Sequence, residues 1–393
     1  MSELRNTFLT AFLGLIISFS SPVLFCAAAN AAPGKNQKVV IGYVFPRKGQ
    51  LPPDSLKGDL LTHINYAFAN IRNGQVVIER PNDADNLKML TALRGAFPHL
   101  KVLISVGGWS WSGGFSDMSL TPASRKKFID GAVEFLWQHN LDGIDLDWEY
   151  PGLPGAGNTH RPADRRNFTL LLKEMRKALN AAQKRAGRRY QLTIAAGASS
   201  SFLDHTEMGK AQKHLDYVNL MTYDFFVEKG GRSGHHSNLY PSTFGADAPS
   251  GSASVAAFLR AGVPAKKLVL GVPFYGRGWK GANPLNNGLY QDAAAADGGY
   301  SWNNLVQSYI GKNGYARWWD TGAKAPYLWK PDEGRVVTYD DPDSLKEKCR
   351  FIKKLNLGGV MFWEYTSDDS DHTLLRTLHE GLNSTTKAKG NSR

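Results

Sequence analysis

Eight apolar runs, each long enough for one β-strand, recur along the chain with longer amphipathic stretches between them. They are Lys38–Phe45, His63–Ile71, Lys101–Gly108, Asp142–Tyr150, Gln191–Ser199, Tyr217–Asp224, Lys267–Gly276 and Gly358–Tyr365. Helical periodicity is clearest over Pro122–His139, Pro162–Ala186, Ala253–Ala261, Asp343–Lys354 and Ser370–Leu382. Strand-length runs alternating with helical patterns predict a parallel α/β architecture. Eight β/α units are the number that closes a (β/α)8 TIM barrel, a fold that places its chemistry at the C-terminal strand ends. Thr121 before Pro122, and Ala163-Asp164 after Pro162, look like helix starts, where proline is tolerated in the first turn.

Two stretches exceed the simple repeat. Between the seventh and eighth runs, residues 279–338 are more than one helix needs and predict a small α+β insertion forming one wall of a cleft. This stretch is rich in aromatics: Trp302, Tyr309, Tyr315, Trp318, Trp319, Tyr327 and Trp329. The Gly-, Ser- and His-rich segment Phe225–Ser252 is the other long excursion and is expected at the mouth.

The start of the chain differs in character. Arg5 precedes the apolar stretches Phe8–Phe19 and Pro22–Ala29, and Ala29-Asn30-Ala31 fits a small-x-small cleavage pattern, so residues 1–31 are expected to be a removable signal peptide. Ser18, Ser20 and Ser21 interrupt the stretch and argue against a retained span. A bulky Phe25 argues against a lipid anchor at Cys26. The barrel is then expected over 32–393, with a disordered tail over 383–393. Cleavage would leave Cys349 as the sole cysteine, a buried small hydrophobe on a helix, with no intramolecular disulfide possible. A large exported protein without disulfides suits a bacterium, so a secreted or periplasmic location is expected, with no membrane contact in the mature form.

The formal net charge of +12 raises the question of nucleic acid. The clusters Arg125-Lys126-Lys127, Lys184-Arg185 and Arg188-Arg189 lie on or beside amphipathic helical patterns, and no nucleic-acid motif accompanies them. Solvated charge is the expectation, with no nucleic-acid partner.

Chemistry is concentrated in the fourth run, Asp142-Gly-Ile-Asp145-Leu-Asp147-Trp-Glu149-Tyr-Pro151. Alternate strand residues share a face, so Asp145, Asp147 and Glu149 project into the barrel while Ile144, Leu146 and Trp148 meet the helices. Burying one unpaired carboxylate is costly, and structure alone would not select three. Glu149 lies about 13 Å further along the strand than Asp145, which puts it at the mouth. Like-charged neighbours force some of the row to hold protons. A proton shared along the row would keep Glu149 protonated near neutral pH, as a general acid for glycosidic cleavage requires. A hard metal ion could also use such a row, but no second ligand cluster of suitable spacing is evident. A solvated edge strand is the remaining alternative. Asp142, of opposite parity, is expected to play a structural part where the strand begins.

The fourth run matches the motif DxxDxDxE, and with Trp148, Tyr150 and Pro151 the sequence resembles the chitinases of glycoside hydrolase family 18. Supporting segments are Ser105-Val106-Gly107-Gly108-Trp109, Met221-Thr222-Tyr223-Asp224, Pro273-Phe274-Tyr275-Gly276-Arg277 and Gly359-Val-Met-Phe-Trp363-Glu, in order from Gly42-Tyr43 to Trp363-Glu364-Tyr365. The insertion resembles the α+β module of deep-cleft bacterial members. The resemblance implies a retaining hydrolysis of β-1,4 bonds between N-acetylglucosamine units, with the substrate's N-acetyl carbonyl as nucleophile and an oxazolinium intermediate. Transglycosylation is a possible side outcome.

By similarity Glu149 is the acid, Asp147 orients the N-acetyl group between Asp145 and Glu149, Tyr223 donates to the N-acetyl oxygen, and Asp224 holds the sugar beside it. Trp363 is the expected aromatic floor. Tyr43, Met221, Tyr275 and Arg277 line the pocket by the same motifs, as do Ser105 and Trp109. Trp111, Trp279, Trp318 and Trp319 are candidates for extending the cleft. No metal or cofactor is implied, the partners are chitin and its oligosaccharides, and a monomer is expected. The competing functions are an endo-β-N-acetylglucosaminidase and a non-catalytic chitin-binding lectin; the presence of Glu149, Asp147 and Tyr223 argues against the lectin.

Overall fold

All eight apolar runs form parallel strands: β1 (Val39–Val44), β2 (His63–Arg72), β3 (Lys101–Gly107), β4 (Gly143–Asp147), β5 (Gln191–Gly197), β6 (Tyr217–Met221), β7 (Leu268–Pro273) and β8 (Gly359–Trp363). Their order in the sheet is β1-β8-β7-β6-β5-β4-β3-β2, and pairing of β1 with β2 closes the ring. The near-continuous hydrophobicity follows from burial on both faces. The computed structural model describes residues 38–383 except 48, 53 and 54. The signal peptide expected over 1–31 lies outside the described residues, as does the tail expected over 383–393 apart from Asn383, which is helical.

Six longer helices surround the ring: α1 (Asp83–Ala92), α2 (Pro122–Gln138), α3 (Asp164–Ala186), α4 (Gly251–Arg260), α5 (Pro342–Lys354) and α6 (Thr373–Asn383). Thr121 caps α2 by accepting from the Ser124 N–H, and α3 ends at Gly187, whose φ of 67° is the left-handed conformation glycine tolerates. Helix α1 lacks a legible period because three of its five buried residues, Asp83, Asn86 and Thr91, are polar and only Leu87 and Leu90 join the apolar core. Asp83 accepts from Tyr66 at 2.5 Å, and Asn86 donates to the Gly49 carbonyl at 2.8 Å. Between β5 and β6 the descent is made by two short pieces, Ser200–Asp204 and Met208–Ala211. Among the described residues no helix is long and apolar enough to cross a membrane.

The main core lies between ring and helices. Trp148 illustrates it: its ring stacks on Phe115 with centroids 5.1 Å apart and meets Phe168 edge-on at 6.0 Å. Inside the ring, Val39, Ile41, Tyr43, Ala67, Val269 and Met361 form a second, smaller cluster.

A five-stranded antiparallel sheet follows β7, in the order Ala294–Ala295, Arg277–Lys280, Arg335–Thr338, Ala325–Lys330, Ala316–Asp320, with a helix at Trp302–Ser308. The sheet begins at Arg277, two residues before the expected boundary. Most of the aromatics in this region build cores instead of lining a wall. Trp279 is fully buried with Tyr290, Tyr327, Trp329 and Val336, and Trp302 and Tyr315 belong to the main core. Trp318, on the outer edge strand, is exposed.

Helix α5 is tied down by a buried ion pair. Lys348 reaches Asp340 at 2.5 Å, and the same carboxylate accepts from Ser344 at 2.6 Å and Ser237 at 3.0 Å. Lys348→Met leaves that carboxylate buried without its cation, and urea unfolding should show a loss of about 3–5 kcal/mol, partly restored by Lys348→Met combined with Asp340→Leu.

Candidate active site

The site grows from Asp145, which is wholly buried on the inner face of β4. One carboxylate oxygen accepts from the Tyr43 and Ser105 hydroxyls, both at 2.8 Å; the other accepts from Thr193 at 2.6 Å and Asn219 at 3.3 Å. Burial raises its pKa, opposed by these four donors. Asp147, two residues nearer the mouth, is 4% exposed, and its Oδ1 has no hydrogen-bond partner among the described residues. Burial pushes its carboxyl well above the ordinary range, and the charges of Glu149 and Asp145 add to this. Glu149 follows just beyond the end of the strand, 8% exposed, its pKa pushed up to about 7 by burial, with Asp224 adding to the rise. Burial is therefore the first cause of the raised pKa at all three positions, and like-charge crowding acts most on the middle member.

The backbone that carries Glu149 is held by the end of β3. The Gly108 N–H donates to the Asp147 carbonyl at 2.8 Å. The Ser112 hydroxyl lies 3.1 Å from that carbonyl and accepts from the Glu149 N–H at 2.9 Å. Gly107 has φ 106°, and a Cβ there would sit 2.3 Å from the Asp147 oxygen, so no other residue fits.

A second carboxylate stands beyond the end of β6 in the opposite electrostatic state. Asp224 has φ 57°. It accepts from Tyr275 at 2.7 Å and from the Arg277 Nε at 2.9 Å on one oxygen, and from Arg277 Nη2 at 2.7 Å on the other. His236, fully buried, lies 3.5 Å away. Burial alone would raise the Asp224 carboxyl, but the nearby His236 imidazole and the hydrogen bonds from Arg277 outweigh it and hold the group ionised, far below the ordinary range. Arg277 is itself anchored to Glu228 at 2.9 Å.

Aromatic surfaces complete the arrangement. Trp363, at the end of β8, packs near-parallel on Phe68 at 5.5 Å and tilts against Tyr43 at 5.8 Å. Tyr223 meets Tyr275 edge-on at 6.3 Å, with its hydroxyl 3.9 Å from the Met361 sulfur. Burial raises the Tyr223 hydroxyl's pKa, with Tyr275 and Asp147 adding to it. Met221 packs in the inner cluster with Tyr223 and Trp363. Trp109 stands apart at the rim, 54% exposed, while Trp111 is covered by the Arg80 guanidinium at 5.2 Å. Trp279 is no subsite, since it is buried in the insertion. Asp142 holds the start of the strand, accepting from the Val102 N–H at 2.9 Å and Arg94 at 2.8 Å.

Sequence reasoning missed Ser112, Thr193, Asn219, Glu228 and His236. Thr193 and Asn219 carried a usable signal, as polar residues at inward-facing positions of apolar strands. Ser112, Glu228 and His236 lie on loops, where no period marks them.

A carboxyl whose pKa is raised on folding lowers stability as pH rises from its unfolded value through its folded one, because the folded state then holds the extra proton. Glu149→Gln removes that cost. Its thermal midpoint should coincide with the parent's near about pH 4 and exceed it near about pH 8, by roughly 2–4 °C per kcal/mol recovered.

Comparison with known proteins places the chain in a family. The chain is 38% identical to chitinase A1 of Niallia circulans over 94% of its own length and 62% of that protein's, so it spans less than two thirds of this relative. Among solved structures, a family 18 N-acetylglucosaminidase from Paenibacillus barengoltzii superposes with TM-score 0.81 at 45% identity, covering 88% of this chain and all of that one. A class V chitinase from Nicotiana tobaccum, solved as a glutamate-to-glutamine mutant in complex with NAG4, superposes with TM-score 0.79 at 29% identity, covering 88% of this chain and 99% of that one. The family model Glycosyl hydrolases family 18 matches residues 39–368, from the first barrel strand to beyond the last, and the chain belongs to that family.

Proposed function

We propose that this family 18 glycoside hydrolase cleaves the β-1,4 bonds of chitin and its oligosaccharides, with Glu149 as general acid and the substrate's own acetamido group as nucleophile. The observation that carries the mechanism is the unequal state of the two mouth carboxylates. Glu149 is buried and titrates near 7, so it can give a proton to the glycosidic oxygen. Asp224 is ionised, but both its oxygens are taken by Tyr275 and Arg277. It cannot serve as the enzyme nucleophile of the general two-carboxylate scheme. The attacking oxygen then comes from the sugar.

Each neighbour has a part in this reading. Asp147 offers the buried, unpartnered Oδ1 to the acetamido N–H. Tyr223 donates to the acetamido oxygen as it closes on the anomeric carbon. Trp363 floors the sugar ring. Asp145, held by four donors, keeps Asp147 in place. Opening of the oxazolinium by water gives hydrolysis with retention, and opening by a sugar gives transglycosylation. The protein acts as a monomer outside the cytoplasm, in keeping with a polymeric substrate and with the leader-like residues 1–31. The N-acetylglucosaminidase named among the similar structures favours a second reading, in which single N-acetylglucosamine units are released. A time course of products from an end-labelled hexamer separates the two.

Glu149→Gln should lower kcat by about 10²–10⁴ while oligosaccharide binding, followed by calorimetry, persists; parent-like turnover would refute the assignment. Because the acid must be protonated, kcat should fall as pH rises through about 7. Fully deacetylated chitosan should resist cleavage, since it has no acetyl carbonyl to attack, and efficient chitosan hydrolysis would overturn substrate assistance alone.

A further inference from the structure

The chain's positive charge is not spread evenly; it is gathered at the end of the barrel opposite the active site. The segments that lead into the eight strands are residue 38, 57–62, 93–101, 139–142, 184–190, 208–216, 260–267 and 353–358. Together they contain fifteen Lys and Arg against Asp59, Asp142 and Asp216, a balance of +12 that equals the formal charge of the whole chain. The remaining residues therefore balance to zero. Of the three acids, Asp142 is already taken by Arg94 and Arg188, and Asp216 by Arg176 and Arg189. Lys184, Arg185, Lys213, Arg260, Lys266, Lys353 and Lys354 are exposed and make no ion pair among the described residues.

The loops form one connected surface. Arg188 donates to the Leu141 carbonyl at 2.7 Å, Arg176 to the His214 and Tyr190 carbonyls, both at 2.9 Å, and Lys267 to the Gln212 carbonyl at 2.5 Å. Lys38 bonds Asn356 at 2.5 Å and the Leu357 carbonyl at 2.7 Å. Burial first, then Lys173, Arg176, Lys267 and Lys213, hold the His214 imidazole below its ordinary value, a mark of how closely these cations crowd. Like charges so close repel one another and gain by sharing an anionic partner within a Debye length, about 8 Å at physiological salt.

We propose that this basic rim is a docking face for an extended polyanion, a flexible polymer bearing closely spaced phosphate or carboxylate groups, of the kind an anionic surface polysaccharide presents. Chitin is nearly neutral, so the rim does not serve the substrate. The chemistry argues against a single-stranded nucleic acid and against a membrane surface. Single-stranded nucleic acid is gripped by aromatic platforms, and the one large apolar side chain exposed beside the rim, Trp137, is capped by the Arg185 guanidinium at 4.8 Å. An interfacial membrane face needs an apolar side to bury. Docking through the strand N-termini leaves the catalytic mouth facing away from the polymer, so both can be engaged at once.

The test is binding of the full mature chain to long-chain inorganic polyphosphate and to polygalacturonate, followed by fluorescence anisotropy at several ionic strengths. The expected result is binding to at least one polymer that weakens about tenfold or more between low and physiological salt. Lys184→Glu, Lys213→Glu, Lys266→Glu and Lys353→Glu combined should lower affinity about tenfold or more, with chitooligosaccharide turnover and thermal midpoint kept. The Lys→Gln set at the same positions should show a smaller loss and serves if the reversed set does not fold. Four reversals elsewhere, at Lys88, Lys126, Lys229 and Lys312, should cost no more than about twofold, which separates location from net charge. Equal losses from both reversed sets, or parent-like binding by the rim variant, would overturn the proposal. Tighter binding of single-stranded DNA than of either polymer, or binding only to anionic lipid vesicles, would replace it with a nucleic-acid or membrane partner. Because the readout is binding, failure of the chitinase assignment would leave this result standing.

Discussion

Asp145 is a carboxylate inside a closed barrel, and four side chains on four different strands keep it there. Tyr43 comes from β1, Ser105 from β3, Thr193 from β5 and Asn219 from β6. A buried acid without such partners would be expelled or would unfold its surroundings. With them it becomes a fixed point, and Asp147 and Glu149 are reached from it by two steps along the same strand. The mouth therefore has a rigid lower storey. Its upper storey inherits its coordinates from a hydrogen-bond set buried beneath it.

Environment then gives two similar groups opposite duties. Glu149 and Asp224 both face the mouth, Glu149 only 8% exposed and the Asp224 side chain 35%. One has no cation beside it and holds a proton near 7; the other is clasped by Arg277 and stays charged. Desolvation is the same in sign for both, and the local partners decide the outcome. The left-handed backbone at Asp224 turns its carboxylate toward Tyr275 and Arg277 instead of along the strand.

Much of this could be read from the residues alone. Strand parity placed Asp145, Asp147 and Glu149 on one face because a period of two survives wherever a strand is buried on both sides. The eight runs located every barrel strand because burial on both faces makes such strands near-continuously apolar, though the ends of β4 and β6 were placed three residues too late, since the chain leaves the ladder there to aim Glu149 and Asp224. Helix α1 was missed because Asp83, Asn86 and Thr91 share its buried face with Leu87 and Leu90, and that mixture blurs the hydrophobic period. The aromatics of the insertion were misjudged: a tryptophan in the sequence does not say whether it faces sugar or core, and Trp279 and Trp329 face core. Ser112 and His236 act through loops, whose approach to the site depends on the whole fold. The charge was legible as a total and illegible as a pattern, because its cations are scattered in sequence and converge only once the barrel is closed.

The glycine pair at the end of β3 bears on how such a site could change. Gly107 leaves no room for a side chain against the backbone of Asp147, and Gly108 leaves none against the Phe68 ring, so the peptide leading to Glu149 rests on bare main chain. One residue later Trp109 projects freely into solvent. Within three consecutive positions the chain passes from a place where no side chain is admitted to one where almost any would be. Substitutions can accumulate at Trp109 without moving Glu149, and the boundary between what this end of the strand can revise and what it must keep is one peptide bond wide.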